Sequence, residues 1–294
     1  MTYLSFAIAL VAFTVLGPVV GCLIAGIDRI ITARMQGRVG PPLLQPYYDV
    51  RKLLAKERRC LNGFQGYYLV LALAFAILSG VLFFAGGNLL LVVFVISLST
   101  LLFIVAAYST RSPYADIGAH REIIQVLSYE PMIILLPVFI FFVSSSFNTS
   151  VVFEQELPLV VTLPFVFIGL LFILTIKLRK SPFDLSYSHH GHQELVKGIT
   201  TEMSGRNLAI VEITHWYENV LFLGYVGLFF VTANPWTLLI AVAAALVIYF
   251  IEIVIDNSFA RVKWQPMLRW SWIVTLVCTA INLALLVYTG HISF

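Results

Sequence analysis

Residues 177–206 read KLRKSPFDLSYSHHGHQELVKGITTEMSGR and form a polar stretch between two long apolar segments. This stretch holds five of the eighteen Lys and Arg residues of the chain and three of its six histidines. Each charged side chain costs about 2.5 to 3.5 kcal/mol at the centre of a membrane helix on insertion scales. We therefore predict that the stretch lies outside the lipid, where a soluble partner would meet the chain.

The rest of the composition is typical of a membrane protein. Of the 294 residues, 60% are hydrophobic and only 11% are charged, and the mean hydropathy is +0.94. This leaves too little polar surface to cover a water-soluble globule. No basic region precedes the first apolar run and no small-residue cleavage signature follows it, so we expect a retained span rather than a signal peptide.

Charge-free runs near 20 residues predict an all-α, polytopic integral membrane protein with a single membrane domain over residues 1–294. The uncharged run from Cys60 to Thr110 is too long for one span, and Gly86, Gly87 and Asn88 supply a natural turn within it. We predict eight transmembrane helices, at residues 1–27, 67–87, 88–109, 123–145, 158–176, 207–231, 236–255 and 269–290.

A further helix is predicted along the membrane surface at residues 43–57. Its apolar residues recur at helical spacing opposite charged ones, which is the pattern of an amphipathic interfacial helix. The apolar set is Leu43, Leu44, Tyr47, Val50 and Leu54, and the charged set is Asp49, Arg51, Lys52 and Lys56. The alternative is a short soluble helix packed on a partner.

The distribution of Lys and Arg tests this arrangement, because loops on the cytoplasmic side of a membrane are enriched in both. Loops 28–66, 110–122, 177–206 and 256–269 hold eight, two, five and three basic residues, which accounts for all eighteen. The intervening loops and both termini hold none. We therefore predict that these four loops face the cytoplasm and that both termini lie on the outer side.

Cysteine and histidine usage bears on bound metals. The chain has three cysteines, Cys22, Cys60 and Cys278, with no CxxC pair. This pattern encodes neither a disulfide framework nor an iron–sulfur or zinc site, so any redox cofactor is expected on another chain. The trio His189, His190 and His192 is a weak metal candidate, as any His-rich tract is. A protein-contact or hydrogen-bonding role for the trio is favoured instead.

Ionisable residues inside predicted spans are candidates for an ion path, because burying them in lipid is costly. Glu130 lies within the fourth span. Glu212, His215 and Glu218 follow at i, i+3 and i+6 in the sixth, close enough on one side of a helix to pass protons through water. Glu252 lies near the cytoplasmic end of the seventh and has access to the headgroups. The alternative is that these groups are satisfied by neighbouring helices.

Several motifs resemble the complex I membrane subunit that forms the base of the quinone chamber. The polar stretch supplies PFDL at 182–185, ELV.G at 194–198 and E.SG at 202–205. Gly40-Pro41 and LLQPYYDVRKLLAKE at 43–57 resemble the elements that follow the first helix in that family. These separated motifs, together with the span count, extend the resemblance over nearly the whole chain.

Within that superfamily the chain looks closest to the ion-translocating membrane subunit of energy-converting NiFe hydrogenases. The loop SPYADIGAHRE that leads into EPM, the segment DNSFAR at 256–261 and a short first cytoplasmic loop resemble that branch. SYSHHGHQ stands between Leu185 and Glu194, where complex I relatives place extra glutamates. Counted from Glu202, the glutamate of typical complex I relatives falls at His215.

The resemblance implies a non-catalytic, energy-coupling subunit in the plasma membrane of a bacterium or archaeon. In such a complex, electron transfer between ferredoxin and protons in a peripheral arm drives H⁺ or Na⁺ movement. The expected partners are a NiFe large subunit, an iron–sulfur small subunit and antiporter-like membrane subunits, with the NiFe centre and the clusters on the partners and no cofactor in this chain.

The resemblance also assigns roles to individual residues. Glu130 would belong to the proton pathway, and Arg38, Asp184, Glu194 and Glu202 would shape the junction with the redox arm. The alternative for these four is solvation at the cytoplasmic rim.

Alternative functions for the chain are a quinone-binding subunit of an NADH:quinone oxidoreductase-type complex, a stand-alone secondary ion transporter and a passive membrane anchor. The absence of an evident inverted repeat argues against the transporter, and the intramembrane acids argue against the anchor.

Overall fold

The computed structural model describes residues 3–57, 62–186 and 197–290. The described chain is all helical, with one isolated bridge between Asn88 and Asn148. Its helices are α1 (Tyr3–Met35), α2 (Gln45–Ala55), α3 (Gly63–Phe84), α4 (Leu89–Tyr108), α5 (Pro113–Ser144), α6 (Thr149–Val152), α7 (Leu159–Thr162), α8 (Pro164–Lys177), α9 (Arg206–Leu228), α10 (Thr237–Ser258) and α11 (Trp264–Tyr288).

Six of the described helices are long and apolar enough to cross a membrane. They are Phe6–Met35 within α1, Gly63–Phe84, Leu89–Tyr108, Pro113–Ser144, Thr237–Ser258 and Trp264–Tyr288. The other two predicted spans correspond to α8, which has only 14 residues, and to α9. The 23 residues of α9 are long enough to span, but Glu212, His215 and Glu218 lower its hydropathy.

Two helices extend well beyond the predicted span boundaries. The first span was predicted to end at residue 27, but α1 continues to Met35 through Asp28 and Arg29. The fourth was predicted to begin at residue 123, but α5 begins at Pro113, a residue suited to the first helical turn. Charge marks where the lipid ends, whereas a helix continues for as long as its backbone hydrogen bonds are favourable.

The predicted fifth span, residues 158–176, is interrupted. Leu163 separates α7 from α8, and Pro164 begins α8 without a backbone donor. The free N–H groups of Phe165 and Val166 donate to Asn282 Oδ1 of α11, at 3.1 and 3.5 Å. A fully buried side chain of another helix therefore caps this helix end inside the bundle.

The bundle has two chemically different ends. One end carries the exposed acids Glu154 and Glu156 but no lysine or arginine within the described ranges, and we call it the base-free end. There main-chain bonds join the connections: Leu89 N donates to Phe147 O at 2.8 Å, Val160 N to Phe229 O at 3.0 Å and Ala233 N to Gln155 O at 2.9 Å. At the charged end lie α2 and the loops near residues 36–44, 109–112, 178–186, 197–205 and 259–263. The basic residues within the described ranges lie at or near this charged end.

Close backbone approaches position α9 in the centre of the charged end. Gly21 of α1 faces Trp216 of α9, and a Cβ added at Gly21 would lie 2.6 Å from the Trp216 carbonyl oxygen. Gly118 of α5 similarly approaches the backbone of Ile199, with 2.3 Å between a built Cβ and the Ile199 nitrogen. Any larger residue would separate these elements, so the two glycines fix α9 and the loop before it against α1 and α5.

Candidate functional site

A polar cavity of about 820 Å³ opens at the charged end between α1, α8, α9 and α10. Both signs of charge line its wall. The charged lining residues are Asp28, Arg29, Lys177, Arg179, Lys180, Asp184, Lys197, Glu212, Glu218, Asp256 and Arg261. A cavity with this many charges beside a membrane requires nearly every charge to be paired.

Three bases from one short segment provide much of that pairing, and we call Lys177, Arg179 and Lys180 the basic hub. Helix α8 ends at Lys177, and Arg179 takes a left-handed backbone conformation with φ of 54°. An L-residue adopts this conformation at a cost. The resulting turn sends the three side chains toward acids on four different helices.

Lys177 is the most deeply buried member of the hub. Its Nζ lies 3.7 Å from Glu218 Oε1 of α9 and donates to Thr100 Oγ1 of α4 at 3.2 Å and to Tyr129 OH of α5 at 3.4 Å. The ammonium also lies 5.2 Å from the ring centroid of Phe222. Its one carboxylate partner is therefore supplemented by hydroxyl groups and aromatic faces.

Arg179 joins α5 to α9. Its Nη2 donates to Glu122 Oε1 at 2.9 Å, and its Nη1 contacts His215 Nε2. A guanidinium has only donors, so a hydrogen bond between these two groups uses Nε2 as the acceptor. Glu122 is 3% exposed, which makes its pair with Arg179 a buried ion pair rather than a surface one.

Lys180 joins α1 to α10. Its Nζ contacts Asp28 Oδ2 and lies 3.3 Å from Asp256 Oδ2. Tyr249 OH donates to Asp28 at 3.3 Å, and Ser181 N donates to Asp256 Oδ1 at 2.7 Å. Lys180 belongs to the polar stretch that was predicted to meet a soluble partner, but its own side chain is 7% exposed and lies between two carboxylates.

The predicted ion-path residues are only partly brought together. Glu212, His215 and Glu218 all line the cavity, with Glu218 buried and Glu212 half-buried. Glu252 is 3% exposed and lies one helical turn from Asp256 on α10, with no hydrogen-bond partner for its Oε2 within the described ranges. Glu130 is half-buried on α5 and is not among the residues that line the cavity.

The predicted junction residues differ in their surroundings. Arg38 is exposed and donates to Gln36. Asp184 is 7% exposed, and its Oδ1 lies 3.3 Å from Arg261 Nε, so solvation at the rim does not describe it. Glu202 is half-buried. Glu194 and the trio His189, His190 and His192 lie outside the described residues.

Sequence reasoning missed five residues of this site as functional candidates: Asp28, Glu122, Lys177, Arg179 and Asp256. A signal for them was present. Asp28 and Lys177 are the first charges after long apolar runs, which places them at a similar depth on different helices. Opposite charges at one depth of a bundle are expected to pair, because an unpaired charge there is costly.

The arrangement can hold and move protons or small cations. Carboxylates, the His215 imidazole and hydroxyl groups follow one another from the cavity into the bundle, and these groups can exchange protons or contact water. The basic hub sets the local field, since a change of charge at one acid is felt by the others at low dielectric. Ion transfer along such a row requires no cofactor in this chain.

Comparisons with known proteins agree with this architecture. The sequence profile of the family described as NADH dehydrogenase matches residues 7–287. Hydrogenase-4 component C of Escherichia coli is 27% identical over 278 residues, covering 85% of this chain and 87% of that protein. Formate hydrogenlyase subunit 4 of Escherichia coli is 27% identical over 283 residues, covering 85% and 89%. One subunit of the NADH-quinone oxidoreductase of Anoxybacillus flavithermus is 29% identical over 287 residues, covering 87% and 85%.

A solved structure shares the fold. A chain of the membrane-bound sulfane sulfur reductase, an archaeal respiratory membrane complex, matches with a TM-score of 0.84 and 22% identity, over 94% of this chain and 99% of that chain. The family profile covers nearly the whole sequence, and the described helices include six that can span a membrane. The chain is therefore a multi-pass membrane protein of the NADH dehydrogenase subunit 1 family, as its motifs predicted.

Proposed function

We propose that this chain is the energy-coupling membrane subunit of an energy-converting NiFe hydrogenase complex. The observation that carries the proposal is the basic hub, which connects the charged end of the bundle to the ionisable row of α9. Its 27% identical relatives are named as hydrogenase-4 and formate hydrogenlyase subunits, which supports this branch. The chain anchors the peripheral redox arm and couples electron transfer between ferredoxin and H₂ to H⁺ or Na⁺ translocation.

In this proposal the chain is one membrane domain with eight spans and both termini outside, in the plasma membrane of a bacterium or archaeon. Helices α8 and α9 supply the two spans that composition alone does not identify. Clustering of the basic residues at the charged end supports a cytoplasmic location for that end. The NiFe large subunit and the iron–sulfur small subunit dock there, at a junction that includes Arg38, Asp184, Glu194 and Glu202.

The ion path comprises Glu130, Glu212, His215, Glu218 and Glu252 and leads toward antiporter-like subunits. The chain itself holds no cofactor, and the NiFe centre and iron–sulfur clusters belong to the partners. A change of redox state near Asp184 alters the field at the basic hub, and this shifts proton occupancy along the row by electrostatics.

A quinone-binding subunit is the second candidate function. The cavity volume of about 820 Å³ falls within the usual range of small-molecule sites. The relative from Anoxybacillus flavithermus is named as a quinone oxidoreductase subunit. The charged lining of the cavity counts against it, since small-molecule pockets are mostly apolar with few polar groups.

Isolation of the intact complex in mild detergent separates the two candidates. We expect a NiFe large subunit and an iron–sulfur small subunit to co-purify with this chain, and hydrogenase activity to be independent of added quinone. A quinone requirement, or co-purification with NADH-oxidising subunits instead, would reject the hydrogenase assignment.

Substitution of Glu218 then tests ion coupling. Glu218→Gln removes a buried acid of the row but keeps its size, so we expect lower ion pumping in vesicles with dye-linked hydrogenase activity largely intact. Glu156→Gln is the matched control, because Glu156 is an exposed acid at the base-free end. Pumping at the rate of the unmodified complex in Glu218→Gln would contradict the assigned path.

A further inference from the structure

Lys177 is held differently from the other two members of the basic hub. Arg179 makes a 2.9 Å hydrogen bond to Glu122, and Lys180 contacts two carboxylates. The distance of 3.7 Å between Lys177 Nζ and Glu218 Oε1 is too long for a hydrogen bond. The ammonium donates its hydrogen bonds to the neutral hydroxyl groups of Thr100 and Tyr129. Lys177 can therefore keep its hydrogen bonds whether Glu218 is charged or neutral.

A small cavity adjoins Glu218 and the hydroxyl group of Thr100. Its volume is about 10 Å³, close to the minimum that holds one water molecule. Its polar lining residues are Ser99, Thr100, Arg179, Thr214, His215 and Glu218. Arg179, His215 and Glu218 also line the large polar cavity. These three residues thus connect the large cavity to the small one.

The hydroxyl groups of the small cavity are oriented by their own helices and by a neighbouring one. Ser99 Oγ donates to Ala72 O at 2.7 Å, Thr100 Oγ1 to Ile96 O at 3.2 Å and Thr214 Oγ1 to Ile210 O at 2.8 Å. With their protons engaged, these oxygens present lone pairs to the cavity. A water there can donate to a threonine and still contact the Glu218 carboxylate, which satisfies the partners that a buried water requires.

We propose that Lys177 is a positioning residue that controls the ionisation of Glu218, and that the small cavity holds one water linking Glu218 and His215 to Thr100. While Glu218 is ionised, the ammonium stabilises its charge. When a proton reaches Glu218, its carboxyl group becomes neutral. Lys177 stays protonated, because its ammonium keeps its hydrogen bonds to Thr100 and Tyr129 and its contact with the Phe222 ring. When the proton leaves, the ion pair forms again. This inference rests on the proposed function, because it specifies one step of the ion path.

The alternative is that Lys177 only holds α8 against α4, α5 and α9. A structural role predicts that substitutions lower stability without changing the protonation of Glu218. The proposed role predicts that loss of the ammonium leaves Glu218 permanently protonated, because a buried carboxylate without its cation is strongly unfavourable. The two roles therefore differ in the infrared signal of the Glu218 carboxyl group.

Infrared difference spectra of the purified complex test the protonation directly. Lys177→Met should add the carbonyl-stretch band of a protonated carboxyl group, and the double variant Lys177→Met with Glu218→Gln should lack that band. Lys177→Arg, which keeps the cation, should not show it. Absence of the band in an assembled Lys177→Met complex would overturn the proposal. The spectra need no turnover, so this outcome is independent of whether the complex pumps ions.

Thr100→Val extends the test if Lys177→Met does not assemble. The substitution is close to isosteric and removes the acceptor shared by Lys177 and the water. We expect ion pumping to fall by about a hundredfold, the lower end of what a positioned proton-transfer group contributes, with assembly preserved. Thr279→Val of α11 is the control, because it removes a buried hydroxyl outside both cavities. Equal pumping by the two assembled variants would reject the role of the water.

Discussion

The two ends of the bundle are held together by different forces. At the base-free end, main-chain groups of successive connections bond to one another, as Leu89 N does to Phe147 O. At the charged end, distant helices are joined by side-chain ion pairs, as Lys180 joins Asp28 and Asp256. A neutral main-chain bond depends less on nearby charge than an ion pair does. Among the described residues, a change of charge therefore acts on helix packing most directly at the charged end.

Among the variants that follow, loss of Lys180 should lower the stability of the protein most. Lys180→Met leaves two carboxylates without their common cation, and we expect a loss of stability of about 3 to 5 kcal/mol, as for other broken buried pairs. Thermal unfolding of the purified complex would measure it. Adding Asp28→Asn should recover part of the loss, because one of the two unpaired charges is removed.

The matched control for Lys180→Met is Lys197→Met, since Lys197 is an exposed lysine of the same polar stretch. It should change stability by no more than about 1 kcal/mol. Equal losses in the two variants would mean that burial of the Lys180 pairs contributes nothing, and the comparison between the two ends would fail.

Loss of a side-chain cap toward the base-free end should lower stability by a smaller amount. Asn282→Ala removes the acceptor for Phe165 N and Val166 N and leaves buried N–H groups unsatisfied. We expect a loss of about 1 to 2 kcal/mol. Because no charge changes, ion pumping per assembled complex should be unaltered. Vesicle assays normalised to the amount of complex would check this, and a selective loss of pumping would contradict the proposed division of roles.

The smallest effect is expected from an exposed ion pair at the charged end. Arg29 Nη1 lies 2.5 Å from Asp49 Oδ2, with side chains 44% and 41% exposed. Arg29→Gln should lower stability by less than about 1 kcal/mol, because exposed pairs contribute little. The same melting assay applies. A loss as large as that of Lys180→Met would show that burial does not distinguish the pairs.

The local part of this architecture could be predicted from the sequence. Charge-free runs predicted the helices, and the spacing of Glu212, His215 and Glu218 placed them together at the cavity because neighbours on one helix are fixed by its geometry. The amphipathic pattern at 43–57 matches α2. Family membership followed from short motifs such as PFDL at 182–185, in which Asp184 lies beside Arg261 of a distant segment.

The non-local part could not be predicted in the same way. The Lys180–Asp28 pair joins residues 152 positions apart, and no local pattern specifies such a partner. The break before Pro164 was missed because its cap, Asn282, comes from another helix. The helix ends at Met35 and Pro113 were missed because hydropathy reports exposure to lipid, while backbone hydrogen bonding continues beyond it.

The basic hub also has a charge inventory of its own. Within the described residues its three cations, Lys177, Arg179 and Lys180, pair with four carboxylates, those of Glu218, Glu122, Asp28 and Asp256. Lys180 is the member that two acids share. These described groups hold more acids than bases, so one added positive charge, as a proton or a cation, costs less at the hub than one added negative charge.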